Sequence, residues 1–249
     1  MSSAEDNQKT VPAAAAVFAT THWSVVLASG NADSSTSRQA LERLCRLYWQ
    51  PLYAYVRRQG RTTHDAQDLT QAFLARLLER NGIGQADPAR GRFRSFLLTG
   101  MKHFLADEWD KGRAQKRGGG EPVLSVDALA GEERRQQEPS INETPEKIYE
   151  RRWALNLLEL ALSRLEAEYK RTGRAKLFAQ LQPFLLGEGS DTYASAAERL
   201  RMTEGAVKVA AHRLHRRYRE VIRAEIAHTV ADPAEIEDEL RHLQAALTR

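Results

Sequence analysis

Tyr193-Ala-Ser-Ala-Ala-Glu-Arg-Leu-Arg-Met-Thr-Glu-Gly-Ala-Val-Lys-Val-Ala-Ala-His-Arg-Leu214 reads as two short helices joined by a tight turn. Ala196, Ala197 and Leu200 fall on one face of the first helix, and small Ala197 lets a second helix cross closely. Arg201-Met202 makes the turn, with Met202 expected to plug the angle. The Thr203 hydroxyl is placed to cap the second helix. Val207, Ala210 or Ala211, Leu214 and Tyr218 recur at helical spacing and should face inward. Glu204, Lys208, His212, Arg213, Arg216 and Arg217 are left outside. Such a helix fits the DNA major groove: Glu204 can accept from cytosine and Lys208 can donate to guanine. The arginines are suited to phosphates.

The same periodicity extends outward through the 249 residues. Strand-like alternation is scarce, so the fold class expected is all-α. A short helix is read at Thr21–Leu27, a long helix or helix pair over Arg38–Gln59 around Pro51, and another over His64–Arg80 capped by Thr63. Further helices are read over about Phe93–Lys111, from about Pro145, over Thr192–Leu200 and Glu204–Ala227, and from Asp232-Pro233 to Leu247. Between Glu121 and Glu150 eight acidic residues meet three basic ones, after Gly118-Gly119-Gly120. This stretch reads as a flexible acidic linker between two small helical domains. The division expected is an N-terminal extension over 1–37, a helical domain over 38–117, the linker over 118–145, a second helical domain over 146–230 and an acidic C-terminal helix over 231–249.

Net charge is only +4, but its distribution is uneven. Arg90–Gly120 and Tyr193–Arg223 each carry eight basic and three acidic residues. Two cationic helical stretches on either side of an acidic linker suit one long polyanion gripped in two places. In the first stretch aromatics interleave with cations, as in proteins that stack unpaired bases. At least two of Phe93, Phe96 and Phe104 are nevertheless expected in the core. The acidic tail after Ala224 carries Ile236, Leu240, Leu243 and Leu247 on one stripe, and can fold back to mask the second basic face.

Several function classes are excluded by the same reading. One cysteine, Cys45, allows no internal disulfide and no multi-cysteine zinc site; it reads as a buried, inert thiol. His212 and His215 lack a third ligand, so no metal and no cofactor is expected. There is no nucleophile elbow, phosphate loop or dinucleotide fingerprint, and no catalytic residue is assigned. No apolar run reaches membrane-spanning length and Met1–Thr20 does not read as a signal peptide, so a cytoplasmic protein without membrane contact is expected.

Asp65-Ala66-Gln67-Asp68-Leu69-Thr70-Gln71-Ala72-Phe73 resembles the region 2 signature of bacterial extracytoplasmic-function (ECF) RNA polymerase sigma factors. Phe93-Arg94-Ser95-Phe96-Leu97-Leu98, through His103 and Asp107, continues the resemblance. Tyr193–Arg217 is similar to the family's region 4 helix-turn-helix, and Thr20–Leu27 to the start of one branch of it. Phe96 stands where the family usually has tryptophan, and His103 where it has asparagine. The resemblance implies docking on the β′ clamp helices of core RNA polymerase through Asp65, Asp68, Gln71, Phe73 and Arg76, with the β subunit as a further contact. It implies opening of the promoter −10 element by Phe96, His103, Asp107, Lys111, Arg113, Lys116 and Arg117. It also implies reading of the −35 element by Thr203, Glu204, Lys208, His212, Arg213, Arg216 and Arg217. An anti-sigma factor, or a kinase acting on Thr63, is a candidate regulatory partner. The rival reading is a helix-turn-helix regulator that binds duplex DNA without polymerase, usually as a dimer.

Overall fold

A computed structural model describes residues 35–79, 92–117, 143–187, 192–230 and 232–248. The helix read at Thr21–Leu27 and most of the linker lie outside them. Among the described residues there are eight α-helices, one 3-10 turn and no strand, in agreement with the all-α expectation. The helices are α1 (Ser35–Arg58), α2 (Thr63–Glu79), α3 (Phe93–Arg117), α4 (Pro145–Arg171), α5 (Ala175–Leu186), α6 (Tyr193–Leu200), α7 (Glu204–Ala227) and α8 (Ile236–Thr248).

α1 runs as a single helix through Pro51. A proline has no N–H to give the carbonyl four residues back, which here is that of Leu47. Asn156 of α4 fills the gap: its Nδ2 donates to Leu47 O at 2.6 Å and to Arg46 O at 3.1 Å. The residue that lets α1 continue therefore belongs to the far side of the linker. α1 and α4 make the broadest helix-helix contact of the described residues. Leu47, Tyr48, Leu52, Tyr55 and Val56 of α1 are buried, as are Trp153, Ala154, Leu157, Ala161 and Leu165 of α4.

The buried side chains form one continuous core that runs from Leu47 to Leu243 and includes residues from both halves. Polar ties follow the same seam. Lys102 of α3 pairs with Glu146 of α4 at 2.8 Å, Arg58 Nε donates to Glu143 O at 3.2 Å, and the buried Tyr149 hydroxyl donates to Arg94 O at 2.9 Å. The helices before and after the linker thus pack on each other, although the sequence pattern presents them as two tethered units. A linker composition reports how chain segments are joined; it carries no information about whether the joined segments also share a face.

Local chemistry sets the helix starts. Thr144 and Thr192 accept from Lys147 N and Ser195 N, and Asp232 accepts from Ala234 N at the 3-10 turn Pro233–Glu235. At α2 the cap is Thr62, whose Oγ1 accepts from Asp65 N at 3.1 Å. Thr63, expected as the cap, is instead the first helical residue.

Candidate nucleic-acid interface

Two surfaces carry the residues singled out above. The first lies on α2 and α3. Ala66, Phe73 and Leu74 turn one side of α2 inward, which leaves Asp65, Asp68 and Gln71 exposed on the other. Phe73 is 4% exposed, and its ring lies 5.8 Å from that of Phe104. It offers no surface to a partner, so its expected docking role is corrected to holding α2 on α3. The apolar stripe that folds α2 consumes it. Arg76 and Asp107, expected to serve different partners, form an ion pair at 3.0 Å between α2 and α3, and the Arg76 guanidinium lies 5.7 Å above the Phe104 ring.

On α3, Phe93 and Phe104 are buried, in keeping with at least two of the three aromatics being core. Phe96 is half-buried and stacks on Phe93 with ring centres 6.1 Å apart. His103 is exposed, as is Arg113, and exposed Lys111 pairs with Glu108 at 2.7 Å. Lys116 and Arg117 fall in the last turn of α3, and their side chains are outside the described residues.

Past Leu105, its last buried residue among those described, α3 continues and projects Trp109, which is 56% exposed. The Arg61 guanidinium lies 5.6 Å over the Trp109 ring. These two residues, with Asp65, Asp68, Leu69, Leu105, Glu108 and Arg113, line a cleft of about 440 Å³. The exposed indole offers a face on which an unpaired base can stack, in a cleft where two arginines meet three carboxylates. Trp109 and Arg61 were missed at the sequence level. The available signal was a tryptophan inside a basic run, one turn beyond the end of the apolar stripe.

The second surface is α6, the connection Arg201–Thr203, and α7. Ala196, Ala197, Val207, Ala211 and Leu214 are buried between these helices and their neighbours, and Ala210 is only partly covered. Thr203 caps α7 as expected, its Oγ1 accepting from Ala206 N at 3.2 Å. Met202 is 37% exposed and does not plug the angle. Its backbone makes the turn instead, with Met202 N donating to Ala197 O at 3.0 Å. Arg201 takes φ 54°, a left-handed conformation. Tyr218 is half-buried; its hydroxyl donates to Leu158 O at 3.0 Å, and burial pushes its pKa up to about 12.

Glu204, Lys208, His212, Arg213 and Arg216 are exposed along α7. Lys208 pairs with Glu204 at 2.7 Å and lies 5.8 Å over the Tyr193 ring, while Phe184 stacks behind Tyr193 at 4.5 Å. Arg216 pairs with Glu220 at 3.2 Å. Arg217 is engaged by Glu168 of α4 and by Glu220, each at 3.0 Å. That double engagement makes Arg217 a brace between α7 and α4 rather than an open phosphate contact.

The acidic tail does not cover this basic face. α8 packs on α4 and α7, and its ion pair to the basic stretch of α7 is Glu237 with Arg223, in the last two turns of the helix. Lys208, His212 and Arg213 stay exposed, which corrects the masking expectation. Cys45 is half-buried, and burial pushes its thiol pKa up. No group of three potential metal ligands occurs among the described residues, and no described helix is long and apolar enough to cross a membrane.

No curated protein and no solved structure matches the chain. Residues 44–115, which hold most of α1 with all of α2 and nearly all of α3, match the family model Sigma-70 region 2, and the first of the two surfaces lies within them.

Proposed function

We propose that this chain is a sigma factor of the ECF type. It binds core RNA polymerase, carries it to particular promoters and helps open them. The carrying observation is the coincidence, within residues 44–115, of the Sigma-70 region 2 match with an exposed polar α2 face and a cleft holding Trp109, Arg61 and Arg113. In this reading Asp65, Asp68 and Gln71 meet the β′ clamp helices. His103, Lys111, Arg113 and Trp109 hold the displaced −10 strand, with Lys116 and Arg117 extending the basic track. The second helical module, over 146–230, reads the −35 element through α6 and α7 as a helix-turn-helix. Glu204, Lys208 and His212 face base edges there, and Arg213 and Arg216 face phosphates. The reaction itself is the polymerase's, and the protein works in the cytoplasm on the nucleoid.

Thr63 sits in the first turn of α2, where added negative charge is favoured by the helix dipole, so a kinase acting there would tune docking. An anti-sigma factor is the other regulator that this reading accommodates. T63A and T63D variants that both bind polymerase like wild type would reject the kinase.

The test of the main reading is DNA binding with and without core polymerase. A sigma factor binds promoter fragments weakly alone and tightly in complex. The rival reading, a polymerase-independent regulator, requires tight binding alone to a palindromic site, unchanged by polymerase.

A further inference from the structure

At the seam between the halves lies a cluster of charges that the functional reading leaves unused. Arg94, at the start of α3, is buried beneath α8 with its side chain 6% exposed, and Glu239 of α8 is 2% exposed. Arg94 grips Glu239 through two nitrogens, Nε to Oε1 at 2.7 Å and Nη2 to Oε2 at 3.3 Å. Arg92 Nε adds a third contact to Glu239 Oε2 at 2.9 Å. Arg94 Nη1 also reaches Glu150 of α4 at 2.9 Å, and the other oxygen of Glu150 meets His242 Nε2 of α8 at 2.8 Å. The ring of Trp153 underlies the cluster, 5.1 Å from the Arg94 guanidinium and 6.0 Å from the His242 ring. One knot therefore joins residues 92–94, 150–153 and 239–242.

Two features set this knot apart from ordinary packing. It links the N-terminal half to the last described helix, across 145 residues of sequence. It is built of charges, which add little net stability compared with apolar groups of equal volume but leave a strongly unfavourable buried charge when one partner is removed. α8 also buries Ile236 and Leu243, so its release exposes apolar surface that a partner must cover. A contact that one charge change weakens and that only a partner can replace suits a closure made to be released by binding.

We propose that α8 is an internal clasp: Glu239, seated between Arg92 and Arg94, ties α8 to the start of α3 and adds to the apolar α1–α4 seam in holding the two halves closed, until polymerase binding draws it out. This rests on the sigma reading above, in which the two halves must reach two separated promoter elements. A closed free chain weakens apparent polymerase affinity by the fraction of time it is open, so breaking the clasp should tighten binding.

Two measurements on the full-length chain decide it. In the first, amide hydrogen exchange across residues 236–248 is compared for wild type alone and bound to core polymerase. The clasp requires at least tenfold faster exchange in the complex. In the second, Glu239→Gln, which keeps shape and removes the charge, is expected to bind core polymerase at least fivefold more tightly. If that variant loses helicity by circular dichroism, the exchange measurement on wild type decides alone. A complex in which α8 stays as protected as in the free chain, or a folded Glu239→Gln that binds no more tightly, overturns the clasp and leaves the sigma reading standing. A chain that forms no complex at all overturns both.

Discussion

Asn156, Phe73 and Arg201 show how single residues carry the architecture. Asn156 replaces the hydrogen bond that Pro51 cannot make, and it does so from another element. Asn156→Leu leaves the Leu47 carbonyl unpaired in a part-buried seam and should cost about 1–3 kcal/mol in chemical denaturation. Phe73→Ala should cost about 3–5 kcal/mol, because the ring is core. A variant that kept full stability while losing polymerase binding would contradict that assignment. Arg201 has the opposite character, since a non-glycine residue in the left-handed region costs about 1 kcal/mol. Arg201→Gly should therefore raise the midpoint of thermal unfolding; a lowered midpoint would show that the Arg201 side chain supplies more than its backbone costs. The sequence told Phe73 from its neighbours as an apolar-stripe residue, but a resemblance to a docking motif does not say which members of the motif face outward. Met202 went the other way, from expected plug to half-exposed, because the turn is closed by its backbone N–H.

Among the elements, the periodic ones were legible and their partners were not. Helix type and most apolar faces of α1 to α7 follow from 3.6-residue spacing, and the Thr203 cap from a side chain that accepts from the first turn. Trp109 and Arg61 escaped because their meeting depends on where α2 and α3 lie relative to each other, which periodicity does not encode. α2 and α7 make separable predictions. Asp65→Lys combined with Gln71→Lys alters only exposed positions, so it should weaken core polymerase binding at least tenfold while leaving the circular dichroism spectrum unchanged. On α7, Arg213→Ala with Arg216→Ala should flatten the dependence of log affinity on log salt by about 0.9 for each phosphate no longer neutralised, measured on duplex promoter DNA in complex with polymerase. An unchanged slope would mean that these α7 arginines do not meet phosphates.

For the whole molecule, the property that the sequence concealed is the seam. The acidic linker marks a real change of composition, yet the helices on its two sides share one core and are tied by the Lys102–Glu146 pair, the Asn156 contacts and the Arg94 knot. Partners 56 and 145 residues apart in the chain leave no local trace in composition. The Lys102 hydrogen bond holds the Glu146 carboxyl below the usual carboxylate range. Its contribution is therefore present above that range and lost as pH falls through the lowered value. Both side chains are about half exposed, so the effect is of order 0.5 kcal/mol or less. Glu146→Gln should then differ from wild type in stability at neutral pH and converge with it once pH has fallen below the carboxylate range.

For a molecule whose two halves share one core and whose residues 44–115 match Sigma-70 region 2, one assay is decisive. Run-off transcription with purified core polymerase on fragmented genomic DNA should yield discrete transcripts only when this protein is added, with start sites that define a common pair of upstream elements. Transcripts that are identical with and without the protein would contradict the account.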